Sequence, residues 1–283
     1  MCRRNCAARR GKADRVNQLP TAAIALLIAG LAGACAPNGR AASRPATAGA
    51  PLASSTLCAD SYVLALAPDR VSALSWQAGS ALSTASPAQQ DLPRLRDDPE
   101  RLLRLDALHV GGPGARHGAD VALEWAEDFA GVADNLRALE AATGESAAAA
   151  LRELQNAQAL PAHATAPRVL YLSRAGGSAG AGTFVDAVIR AAGGINAAAA
   201  PGWHTPSVER VLQTEADIVV TSFFGSRYHG VSDRALRHAA LRDYVAARPR
   251  IDVPGRLWPC AGPGLTEATR AVHAGIVEWN AAR

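Results

Sequence analysis

The 283-residue sequence predicts an α/β fold: two similar lobes with mainly parallel sheets flanked by helices, joined by a single long bridging helix, with a ligand cleft between the lobes. Three observations carry this. Short apolar runs of strand length alternate with amphipathic stretches of helix length along the body of the chain. A helix-strand phrase is written twice, as "DPERLLRLDALHV" (Asp98 to Val110) and "PSVERVLQTEADIVV" (Pro206 to Val220). Each copy has an acidic residue near the helix start, Glu100 or Glu209, continues with Arg and a Leu/Val stripe, and turns through an Asp-containing corner into an apolar run. Between the copies, residues 128–162 are rich in Ala, Leu, Glu and Arg, hold no proline before Pro161, and break only at Gly144.

The first 35 residues stand apart. Six basic residues (Arg3, Arg4, Arg9, Arg10, Lys12, Arg15) and one acid, Asp14, precede the apolar run "AAIALLIAGLAGA" and Cys35. The run is too short to span a bilayer and has the basic front and small-residue end of an export signal. "LAGAC" resembles a bacterial lipobox, which makes Cys35 the lipidated first residue; "AGA" alone suits an ordinary signal peptidase, and an unprocessed anchor is a third possibility. The formal charge of +4 belongs to this leader: without it, 23 basic residues face 24 acidic ones. No basic patch interleaved with aromatics remains, which argues against a nucleic-acid partner.

Residues 36–55 are rich in Ala, Pro, Ser and Gly and predict a flexible tether. The expected boundaries are a first lobe over 56–142, a bridging helix over 143–162 and a second lobe over 163–283. Strands are predicted at 70–76, 106–111, 120–125, 167–173 and 216–224. Helices are predicted at 59–67, 99–105, 184–194, 240–247 and 265–279, the third closed by Gly193 and Gly194. Of five cysteines, Cys2 and Cys6 leave with the leader and Cys35 is the lipidation candidate. Cys58 and Cys260 remain, and in an oxidising compartment they predict a disulfide, with two unpaired buried thiols as the alternative.

Little in the chain points to catalysis. The strand, glycine-rich turn and helix at 167–194 have the outline of a phosphate cradle, but Gly176, Gly177, Gly180 and Gly182 are irregularly spaced and no acid ends a second strand. The seven histidines are scattered without paired spacing. The tryptophans say more. Trp76, Trp203 and Trp258 each fall at or near an expected strand end, where ligands of parallel α/β sheets sit, and their flat faces suit the wall of a cleft. Trp125 and Trp279 fall within or at the end of periodic segments and are expected in packing.

Three stretches resemble the periplasmic solute-binding proteins of ABC importers for iron-siderophores, haem and cobalamin. "STLCADSYVLALAPDRVSALS" looks like the opening strand, turn, helix and second strand of that family. "AGTFVDAVIRAAGGINAAAAPGWHTPSVERVLQTEADIVVTS" is the most specific stretch, and "LWPCAGPGLTEATRAV" is similar to the closing strand end and helix. The resemblance covers most of residues 52–280. It implies a binding protein, not an enzyme, with no cofactor, periplasmic and held at the membrane by its lipid. The implied cargo is a ferric siderophore or cobalamin ahead of haem, and the implied partners are an ABC permease and its ATPase. Ligand contacts fall on Trp76, Trp203 and Trp258, and on loops carrying Asp60, Ser173 and Arg174; Arg94, Arg96 and Arg174 would meet an anionic chelate. The echoed Glu100 and Glu209 match the glutamates that pair with permease arginines, or complement their own helix dipoles. One departure stands out: only "GPGARHGADVALEW" follows "DALHVG", so the first lobe is expected to be shortened. A degenerate interaction or structural lipoprotein of the same fold is the alternative that this departure keeps open, with an exported enzyme behind it.

Overall fold

In the computed structural model, which describes residues 49–283 apart from 97, 99, 102–103, 105, 114, 116–117 and 223–236, the first apolar run becomes the centre of a parallel sheet. Strand β1 (Leu52–Ser54) is buried throughout and lies between β2 (Val71–Ser75) and β4 (Leu108–Gly111). Strands β3 (Arg94–Leu95) and β5 (Val121–Ala122) complete the order β3-β2-β1-β4-β5, every pairing parallel. Strands β1 and β4 are buried at every position, as in a sheet covered on both faces.

The second sheet has the order β11-β10-β6-β8, from β6 (Arg168–Ser173), β8 (Ile195–Asn196), β10 (Ile218–Ser222) and β11 (Arg250–Val253), and it too is parallel. A small antiparallel pair, β7 (Ser178–Ala179) with β9 (Trp203–His204), stands beside it.

Helices begin where short oxygen-bearing side chains can accept from free amides. Thr56 caps α1 (Leu57–Leu66), Asp128 caps α2 (Phe129–Thr143), Thr183 caps α4 (Phe184–Ala191) and Ser207 caps α5 (Val208–Leu212). The others are α3 (Ala148–Gln158), α6 (Ala239–Ala246) and α7 (Leu265–Ala281). The helix expected over 99–105 falls partly outside the described residues.

Within the span 143–162, expected to hold the bridging helix, the structure has one helix, α3, which follows α2 across a short break. Helix α2 ends at Thr143, Gly144 takes the left-handed conformation (φ 72°), and α3 stops at Gln158. Two contacts fix the break: Glu140 accepts from the Ala147 amide at 3.0 Å, and Arg70 pairs with Glu145 at 2.6 Å. Helix α2 packs on the first sheet's α1 and β5, while α3 packs on α7.

Gly112, just past β4, stands against the start of α1. A Cβ on Gly112 would stand 2.2 Å from the Thr56 hydroxyl, so only glycine permits the approach. One core runs through both lobes, joining Leu52, Tyr62 and Leu136 to Val169, Ile189, Trp258 and Ile276.

Candidate functional site

Parallel strands put all their C-terminal ends on one edge of a sheet, and the two such edges meet. Cys58, just past β1, is disulfide-bonded to Cys260, just past β11, with Cα atoms 5.7 Å apart. Beside this bond the Tyr62 hydroxyl donates to the Ala261 carbonyl at 3.0 Å and accepts from the Asn135 amide at 3.2 Å. Burial pushes the Tyr62 phenol up to about 12, so it stays a neutral donor. The lobes are therefore stitched along one flank of their shared cleft.

Glu127 makes the second seam. It lies past β5, and its carboxylate accepts from Trp125 Nε1 at 2.5 Å, from Trp203 Nε1 at 3.3 Å, and from the Phe184 amide at 3.3 Å. Trp203 and Phe184 belong to the second lobe, so a single carboxylate joins two tryptophans and a helix N-terminus across the lobes. Phe184 lies between Trp203 (centroids 4.9 Å apart) and Trp258 (6.0 Å), and Trp258 meets Tyr171 at 5.7 Å. Burial likewise pushes the Tyr171 phenol up to about 12.

Trp76, Trp125 and Trp203 are 57%, 59% and 47% exposed, unusual for the largest apolar side chain. Trp76 directly follows β2 and carries the Arg96 guanidinium 5.6 Å from its ring. Trp76 and Trp125 thus share the C-terminal edge of the first sheet, with β1 and β4 between their strands, a span of roughly 14 Å at normal strand spacing. Packing was expected for Trp125; the structure exposes it because β5 ends at Ala122, three residues earlier than its ring.

The other expected residues divide. Trp258 is buried, its ring in the aromatic group and its Nε1 without a hydrogen-bond partner. Asp60 does not reach the cleft surface: it is fully buried, accepting from the Ser54 hydroxyl, the Ser75 amide (2.9 Å) and the Ser75 hydroxyl (2.5 Å). Desolvation raises its pKa, against those hydrogen bonds and the Arg94 charge, which lower it. Its work is to tie β1, α1 and β2 together. Ser173 ends β6 and accepts from the Gly177 amide at 2.9 Å, closing a tight turn in which Gly176 has φ 83°. Arg174, half-buried, stands in that turn. Glu100 and Glu209 are both exposed, Glu209 in the first turn of α5. Cys35 lies outside the described residues.

A cavity of about 580 Å³ opens beside Glu127, between Asp128, Gln158, Thr183, Asp186 and Arg190. Asp186 is engaged there by Arg190 (3.4 Å) and by the Asn196 amide (3.0 Å). Among the described residues no three His, Cys, Asp or Glu side chains are grouped to hold a metal ion, and no helix is long and apolar enough to cross a membrane. Flat apolar rings framed by a few fixed charges are a surface for binding. Sequence reading missed Glu127 and Phe184; the signal for Glu127 was its place two residues past a tryptophan at a strand end.

No protein-family model matches the chain, and no curated protein matches it in sequence. Similar folds do exist. A possible iron-binding periplasmic solute-binding protein from Staphylococcus epidermidis superposes with a TM-score of 0.61 at 12% identity, over 80% of this chain and 98% of that one. A periplasmic haem-binding protein from Roseiflexus sp. RS-1 gives 0.58 at 22% identity, over 80% and 98%. The periplasmic vitamin B12-binding protein of Vibrio cholerae gives 0.59 at 18% identity, over 81% and 97%. The chain has the two-lobed α/β fold of these periplasmic solute-binding proteins.

Proposed function

We propose that the protein is the substrate-binding component of an ABC importer, capturing a metal-chelate nutrient in the periplasm and delivering it to an inner-membrane permease and its ATPase. The observation that carries this reading is Glu127 with Trp125 and Trp203: rings from opposite lobes held on one carboxylate, with Trp76 on the same edge. A large, partly planar chelate needs broad apolar contact and few polar anchors, and three half-exposed indoles supply it. Solute-binding proteins for iron, haem and vitamin B12 share the fold. A ferric siderophore or cobalamin is the cargo we favour over haem.

The exposed Glu100 and Glu209 would pair with permease arginines, one per lobe, and Cys35 would carry the lipid that keeps the protein at the membrane. Such pairs contribute orientation and encounter rate more than affinity. No bond is made or broken in this role. Titrating the purified protein with cobalamin, a ferric siderophore and haem, with tryptophan emission as the readout, tests the reading; quenching that saturates with one chelate supports it.

A further inference from the structure

Helix α4 faces the cleft with its N-terminal residue Phe184; its other end, about 12 Å away along the axis, holds a different group of atoms. The carbonyl of Ala192, the residue that closes α4, meets Nε2 of His163 at 3.0 Å and Nδ1 of His273 at 3.3 Å. The two ring nitrogens are themselves 3.1 Å apart. Three atoms that can each offer a lone pair therefore form a nearly equilateral triangle.

Neutral rings allow one arrangement, in which the His163 Nε2–H is shared between the Ala192 carbonyl and His273 Nδ1. A neutral imidazole nitrogen carries either a hydrogen or a lone pair. With hydrogens on both, two N–H groups oppose each other across 3.1 Å. With the lone pair on His163 Nε2, it faces the carbonyl oxygen at 3.0 Å, and with the lone pair on His273 Nδ1 that nitrogen accepts from His163 and stands 3.3 Å from the carbonyl. A cation shared by all three atoms is the other arrangement these distances admit. Ligand atoms about 2.0–2.1 Å from one ion, at angles between square and tetrahedral, stand about 2.8–3.4 Å apart, which brackets all three edges.

The surroundings are built for it. Gly193, at φ +88°, leaves the space that His163 fills, since a Cβ there would stand 2.5 Å from the ring's Cδ2. The Ala192 carbonyl is at the negative end of the α4 dipole, which favours a positive charge. Both histidines are only half-buried, so an ion and its completing waters can enter. The geometry points to a divalent-metal site on His163, His273 and the Ala192 carbonyl, of the imidazole-preferring class of Zn²⁺, Cu²⁺ and Ni²⁺. It is separate from the cleft and binds the free ion, pinning the segment after α3 to α4 and α7 within the second lobe.

The test uses purified protein stripped with EDTA and titrated calorimetrically with Zn²⁺, Cu²⁺ and Ni²⁺ in turn at pH 7.5. The expected result is one ion per chain with a rise in Tm, binding weakened at least tenfold in His163→Gln and in His273→Gln, and unchanged in His238→Gln, a histidine exposed elsewhere. Absence of binding by all three ions overturns the proposal, as does full affinity in the double variant. If the variants fail to fold, the Cu²⁺ electron paramagnetic resonance spectrum of the parent decides. Hyperfine coupling to two imidazole nitrogens supports the site, and fewer than two overturns it.

Discussion

Glu127 and Trp203 are hydrogen-bonded across the two lobes, with the indole Nε1 3.3 Å from both carboxylate oxygens. The same carboxylate holds Trp125 and the first amide of α4, so one acidic side chain fixes a tryptophan from each lobe. Glu127→Ala should cost at most about 1–2 kcal/mol of folding stability, because water can replace these half-exposed contacts. It should nevertheless shift the tryptophan emission spectrum and weaken chelate binding at least tenfold, whereas Glu127→Gln retains part of both. Unchanged emission and affinity in Glu127→Ala would remove Glu127 from the site.

The Cys58–Cys260 bond closes a span of 202 residues. In the chain-entropy account a loop of that size contributes about 5 kcal/mol, as an upper figure. Denatured, unreduced protein should show neither of these thiols reactive. Reduction, or Cys58→Ser with Cys260→Ser, should lower the denaturation midpoint markedly. Two titratable thiols in the unreduced body would refute the bond.

Asp60 predicts a pH effect with a defined sign. Burial raises its native pKa above the ordinary 3.8, so the native state holds the proton more tightly than the unfolded chain. Its contribution is complete below that ordinary value and is lost as pH rises through the raised one. Asp60→Asn should therefore flatten the stability-pH curve over that window, measured by denaturant unfolding. Asp60→Ala, which strands the Ser54 and Ser75 donors in the interior, should cost about 2–4 kcal/mol. A parallel pH curve in Asp60→Asn would contradict the assignment.

How far the sequence could be read follows from where each signal lies. Apolar runs such as "RVLYLS" and "ADIVVTS" mark β6 and β10 because parallel strands are buried on both faces and show no alternation. Cys58 and Cys260 were readable as the pair left over after the leader. Asp60 was misplaced because an acid at a strand-helix corner looks the same whether it faces a cleft or anchors two serines. Trp125 was misplaced because periodicity does not tell where a short strand stops. Glu127 and the His163–His273 pair are invisible in one dimension, since their partners lie 76 and 110 residues away.

Glu100 and Glu209 should matter for delivery and leave capture alone. Each stands exposed, so Glu100→Ala and Glu209→Ala should cost no more than about 1 kcal/mol of helix-end electrostatics and leave chelate affinity unchanged. Uptake measured in cells should fall in each and fall further in the double variant. Full uptake in the double variant would end the docking role.

The central claim is that the tryptophan-framed cleft captures a metal chelate. Tryptophan emission of the purified protein, titrated separately with cobalamin, a ferric siderophore and haem, tests it most directly, with Trp76→Ala and Trp203→Ala titrated alongside. The account predicts saturable quenching by one of the chelates at micromolar concentration or below, weakened at least tenfold in both variants. No saturable change with any of the three, or quenching untouched by both substitutions, would contradict it.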